Sequence, residues 1–154
     1  MNAFDPSFQL SCVSSSDALP VPRVAELLAR LRSGPAWDEM SICRAHDQYP
    51  SLHLAWQADR GLVVHCFEDA DSAGHFLVES ATMTAPEVEI VLGGQALERW
   101  PRQLFVSNRL AHDAVEFFLC TGRRNTILDW VTTGGFLRET VWEGRDQRLA
   151  WESR

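Results

Sequence analysis

A chain of 154 residues suits one hydrophobic core and leaves no room for two full domains. Hydrophobic residues at 45% and charged residues at 23% exclude wholesale disorder. With 21 acidic residues against 14 basic ones, the net charge of -7 argues against a nucleic-acid partner and for basic protein partners.

Every basic residue is an arginine, which excludes lysine Schiff-base chemistry and a phosphate-binding P-loop lysine. Cys12, Cys43, Cys66 and Cys120 form no CxxC pair and are too sparse for a disulfide scaffold. Reduced thiols and a cytoplasmic location are the expectation. The start of the chain places Asp5 and Pro6 where a secretory signal needs an apolar run, so no signal is expected. Nor is a membrane span, since no stretch approaches 18 apolar residues.

Residues 1–19, rich in serine, read as a loosely ordered arm or one short edge strand over 8–13. A first helix is predicted over 20–33. Val24, Leu27, Leu28 and Leu31 make its apolar stripe, Pro22 sits in its first turn, and Gly34 is its left-handed cap. Period-two patterning follows. Leu52, Leu54 and Trp56 share one strand face and His53 takes the other, while Asp59-Arg60-Gly61 turns the chain into a partner strand over 62–67. An acidic loop over 68–74 carries Glu68, Asp69 and Asp71. Short strands are predicted over 75–79 and 88–92, the latter ended by Gly93-Gly94.

Pro101 predicts an irregular segment over 96–105. A second helix then starts at Ser107 or Asn108, with Leu110, Ala114, Phe117 and Phe118 on its apolar face, and closes at Thr121-Gly122. Strands over 126–131 and 136–142 complete the order, before a largely polar segment over 143–154. Helices do not separate the strands, so the pattern is α+β. Residues 20–154 form one domain, a curved antiparallel sheet packed against two helices.

Chemistry-bearing motifs are sparse. No HxxxH, HExxH, GxSxG or glycine-rich phosphate motif occurs. His112, Glu116 and Cys120 share a face of the second helix at metal-ligand spacing, but their position opposite the apolar stripe reads as an ordinary polar surface. Cys66 sits in an apolar strand and reads as a small core residue. Six tryptophans are many for this length. Trp56 and Trp130 read as core, whereas Trp100, flanked by Arg99 and Arg102 on a predicted loop, reads as an exposed anchor for a partner.

The ordered set of Asp59-Arg60-Gly61, a strand ending at Gly93 or Gly94, Pro101, the helix end Phe117-Phe118-Leu119-Cys120-Thr121-Gly122-Arg123 and Trp130 resembles a known pattern. It is similar to the first-numbered family of bacterial immunity proteins of polymorphic-toxin systems, over residues 52–131. The family often has proline soon after the glycine–arginine pair, where this chain reads Arg124-Asn125. The resemblance implies a non-enzymatic inhibitor, without metal or cofactor, that binds and occludes a cognate toxin, such as a nucleic-acid-directed deaminase, in the producing cell's cytoplasm. Charge and loop position select Glu68, Asp69, Asp71, Glu98 and Trp100 as its toxin-binding residues. Trp56, Phe117, Phe118 and Trp130 are assigned to the core, and a monomer or weak homodimer is expected. The alternative is a small-molecule binding protein or enzyme with a pocket bearing His53, His65 and His75. A third reading is an adaptor that self-associates through tryptophans.

Overall fold

In the computed structural model, residues 3–12, 15–34, 37–58, 60–70, 74–79, 87–92 and 96–132 are described. The elements run β1 (Phe8–Cys12), β2 (Ser15–Pro20), α1 (Val24–Arg32), β3 (Trp37–Arg44), β4 (Asp47–Gln57), β5 (Gly61–Phe67), β6 (His75–Leu77), β7 (Glu87–Leu92), β8 (Ala96–Pro101), a 3₁₀ turn (Arg102–Leu104), α2 (Asn108–Thr121) and β9 (Trp130–Thr132). Seven strands form one open sheet in the order β2-β1-β3-β4-β5-β6-β9, and β7 and β8 form a separate hairpin. All neighbouring pairs are antiparallel. The fold is a small α+β domain.

Alternation explains the main core. Met40 and Ile42, Leu52 and Leu54, Leu62, Val64 and Cys66, and Leu77 all point to one face and are buried there. Both helices lie on that face. The α1 stripe Val24, Leu27, Leu28 and Leu31 is fully enclosed, each side chain contributing about 1.5–3 kcal/mol by leaving water. On α2 the stripe is Ala111, Ala114, Val115 and Phe118, the i, i+3, i+4, i+7 set, with Leu119 beside it. Phe117, expected in the core, lies one residue round the helix from Phe118 and is 37% exposed. An Arg32 Nη1 bond to Asn108 Oδ1 at 3.0 Å ties the end of α1 to the start of α2.

Helix ends follow local chemistry. The first helix begins at Val24 rather than residue 20, because the residues before Pro20 and Pro22 are driven out of helical geometry. Ser33, not a left-handed Gly34, caps its far end. Gly34 instead makes room for the Asp38 carboxylate, which a Cβ at that position would strike. Ser107 caps α2 by accepting the Leu110 N–H at 3.3 Å. Gly122 closes it in the left-handed region, φ 68°, with its N–H donating to the Phe118 carbonyl at 2.7 Å.

Three segments depart from expectation. Residues 8–12 form the short strand expected there, β1, but as an inner strand, and residues 15–20 form the edge strand β2 rather than a loose arm. Phe8 and Leu10 alternate into the core, and Phe8 packs on Phe118 with ring centroids 5.1 Å apart. Residues 96–101 form strand β8, since Pro101 sits at the last position of a two-stranded hairpin, where a missing N–H is tolerated. The last described strand starts only at Trp130. Asn125 turns the preceding residues, its Oδ1 accepting from Ile127 N–H and its carbonyl from Leu128 N–H, and Ile127 is left 89% exposed. Asp59, Gly93, Gly94 and the strand expected over 136–142 lie outside the described residues. Among the described residues no helix is long and apolar enough to cross a membrane.

Two substitutions measure these forces by urea unfolding. Ser107→Ala is expected to cost about 1 kcal/mol through the lost cap. Leu54→Ala is expected to cost about 2–5 kcal/mol through the cavity it opens.

Candidate functional site

The sheet face turned away from the helices carries a polar and aromatic row. Cross-strand register aligns Ser11, Ser41, His53, His65, Phe76 and Val131 from β1 to β9. Beside it runs Glu39, Ala55 and Val63, and on its other flank Cys43, Ser51 and Phe67. Over the β5–β6 end, Leu104 and Phe105 pack on Val63, Phe76 and Val78, with Trp100 alongside. What remains is a cleft of about 350 Å³ with the small Ala55 at its lining, bordered by Glu39, His53, Gln57, His65 and Trp100.

His53 is held by two hydroxyls, Ser41 Oγ at 2.8 Å from Nδ1 and Ser51 Oγ at 3.3 Å from Nε2. Burial lowers its pKa. A Ser41–His53 contact has the elements of a nucleophile and a base, yet among the described residues no carboxylate orients the imidazole, and a lowered pKa makes it a weaker proton acceptor. His65 stacks on Phe76, with centroids 3.8 Å apart and planes inclined by 14°, and packs against Phe67 at 4.1 Å. Its Nε2 is buried without a hydrogen-bond partner among the described residues. Gly74 makes this possible, because a Cβ there would overlap both His65 and Phe67. Burial, then repulsion from His53 and His75, lowers the His65 pKa to about 3, so the ring is neutral at pH 7.

Two residues of the cleft escaped the sequence reading. Glu39 on β3 has a pKa raised by burial and, secondarily, by Asp38. Gln57 is 8% exposed, and its side-chain Nε2 has no hydrogen-bond partner among the described residues. Alternation carried one step outward from Met40 and from Trp56 places both on the face of His53.

The expected toxin-binding residues do not converge on this cleft. Trp100 does border it, on strand β8 rather than a loop, half-buried and edge-on to Phe76 at 5.5 Å. Glu98 is on the same strand, and its side chain lies outside the described ones. Glu68 belongs elsewhere, in a shallow cleft with Arg44, Arg123 and Arg124 that shares no described lining residue with the first. Its carboxylate takes Arg124 Nη1 at 3.0 Å and the Arg124 backbone N–H at 3.4 Å. Asp69 is exposed beside it, and Asp71 lies outside the described residues.

His75 is also on this side, 3.4 Å from Arg124, with its pKa lowered by burial and then by that arginine. Cys66 faces the helices, and burial first of all pushes its thiol up to about 12, an unreactive protonated group. Among the described residues no three His, Cys, Asp or Glu side chains gather to hold a metal ion, and His112, Glu116 and Cys120 are no exception.

No protein-family model matches this chain, and no curated protein sequence matches it.

The histidines predict acid sensitivity. Unfolded imidazoles take up protons near pH 6.5, whereas folded His65 does so only near about 3. Stability is therefore full above roughly pH 6.5 and falls as pH drops toward about 3. His65→Gln is expected to flatten this slope in part, with His53 and His75 retaining the remainder. Urea midpoints measured across that range provide the check.

Proposed function

We propose that this chain is an immunity protein that binds a cognate toxin domain in the cytoplasm of the producing cell and occludes its active site. The carrying observation is the two-sided sheet. Helices seal one face, and the other presents a recess with an apolar lining and a polar rim. Such a recess suits a projecting element of another protein. The resemblance over residues 52–131 supports the same reading, and so does the net charge of -7, which attracts a basic, nucleic-acid-directed toxin.

The separate positions of the expected residues divide their roles. Trp100, with Glu98 on the same strand, is the contact element of the interface. Glu68, Asp69 and Asp71, in the acidic segment over 68–74, add to the net negative charge that steers association.

The test is co-purification with a catalytically disabled copy of the toxin encoded beside it, followed by binding kinetics. A stoichiometric complex that survives moderate salt is expected. Trp100→Ala is expected to speed dissociation roughly tenfold or more. Alanine at Glu68, Asp69 and Asp71 is expected to slow association and flatten its salt dependence. Absence of a complex with the toxin overturns the proposal.

One observation favours a second reading, a small-molecule binding protein. Both His53 and His65 line the 350 Å³ cleft, and His65 is strongly shifted. A small molecule that co-purifies stoichiometrically and protects the cleft from solvent decides for it.

A further inference from the structure

We propose that the sheet-face cleft is the seat for a basic side chain, a guanidinium above all, carried on a loop of the toxin and held between Glu39 and the aromatic wall of Phe67, Phe76 and Trp100. This deepens the immunity reading and rests on it.

Three independent features point to a cation on a peptide. The first is charge. Glu39 supplies a carboxylate to the cleft, and no arginine is among the described residues that line it. The histidines there add no positive charge at pH 7, since burial lowers the pKa of both His53 and His65. Asp38, next along β3, adds to the negative potential at Glu39. An arriving cation relieves a desolvated carboxylate that the fold leaves without a basic partner among the described lining residues.

The second is the wall. Phe67, His65, Phe76 and Trp100 form a continuous run of ring contacts, at 4.1, 3.8 and 5.5 Å between successive centroids. Ring faces attract a cation, and the flat guanidinium stacks on them as well. The apolar floor of Ala55 and Val63 takes the methylene stem of such a side chain.

The third is Gln57. Its side-chain Nε2 is an N–H donor buried at the cleft with no acceptor among the described residues. A buried donor without a partner carries a desolvation cost that an incoming carbonyl recovers. A peptide supplies that carbonyl from its backbone, next to the side chain that meets Glu39. A bare metal ion or a simple amine does not. The cleft thus asks for a cation and an acceptor in one occupant.

The experiment uses two arms on the full chain. In the first, N-acetyl-arginine amide is titrated into 15N-labelled protein, with N-acetyl-citrulline amide as the uncharged isostere. The arginine probe is expected to bind in the millimolar range and to shift the Trp100 indole and Gln57 side-chain amide signals. Citrulline is expected to bind roughly tenfold more weakly, and Glu39→Gln to abolish the difference. Glu39→Gln is expected to leave the urea midpoint unchanged or raised, since it removes a desolvated carboxylate beside Asp38. Equal binding of the two probes, or no shift at Trp100 and Gln57, overturns the proposal.

In the second arm, Glu39→Gln is measured against the disabled toxin. Weakening by tenfold or more supports the proposal. Unchanged affinity for the toxin overturns it while leaving the immunity reading intact. Arginine binding in the first arm with no toxin complex in the second overturns the toxin-borne occupant, and the immunity reading with it, leaving a site for a free guanidino compound.

Discussion

The register that locks β4 between β3 and β5 is the constraint on which the remainder of the molecule depends. Side chains alternate along a strand, so a slip of one residue would exchange the two faces completely. Here Leu52 and Leu54 are fully buried under the helices, which makes any slip prohibitive. The same register delivers Ser51, His53, Ala55 and Gln57 to the opposite face, opposite Cys43, Ser41, Glu39 and Trp37 on β3. The polar row is therefore positioned by apolar residues that never touch it.

That face is chemically unlike the cleft around Glu68. Around Glu68 two of the arginines are already paired, Arg124 with that carboxylate and Arg44 with Asp5 at 3.3 Å, the latter lying over Phe8. Half-exposed pairs of this kind contribute little stability, and they leave a surface whose needs are largely met. On the sheet face the acid Glu39 and the amide of Gln57 have needs that the described residues do not meet. Two rings of the face that would ordinarily titrate near neutrality, His53 and His65, behave instead as neutral components of an aromatic and hydroxyl lattice. A site with unmet needs is where a partner gains most from docking.

Local pattern made much of this legible. The α1 stripe, the hairpin of β4 and β5, the Ser107 and Gly122 caps and the orientation of His53 all follow from spacing alone. What failed was anything decided by neighbours distant in the chain. Phe8 and Leu10 leave loose arm and short strand equally open until β3 and Phe118 give them a core. Pro101 reads as a breaker until β8 is seen, among the described residues, to pair with β7 alone. Trp100 reads as an exposed anchor until Phe76 lies against it. The candidate site suffered most, because Glu39, Gln57 and Trp100 come from three strands, and no spacing in the sequence joins them. Searching for charge in loops favoured Glu68, whose charge is engaged by an arginine far along the chain.

The ninth strand carries a further consequence. The meander of β3, β4 and β5 joins near neighbours in sequence, so its loops close at small entropic cost. The pairing of β6 with β9 instead joins residues 75–77 to residues 130–132, after the hairpin and the whole of α2 have intervened. Contacts of such separation carry a larger loop-closure cost, and this one rests on a short ladder of His75 with Thr132, Phe76 with Val131, and Leu77 with Trp130. Phe76, which supports the His65 ring, is thus held by a pairing distant in sequence. Local opening is expected to begin at this seam and to leave the β3–β5 meander paired.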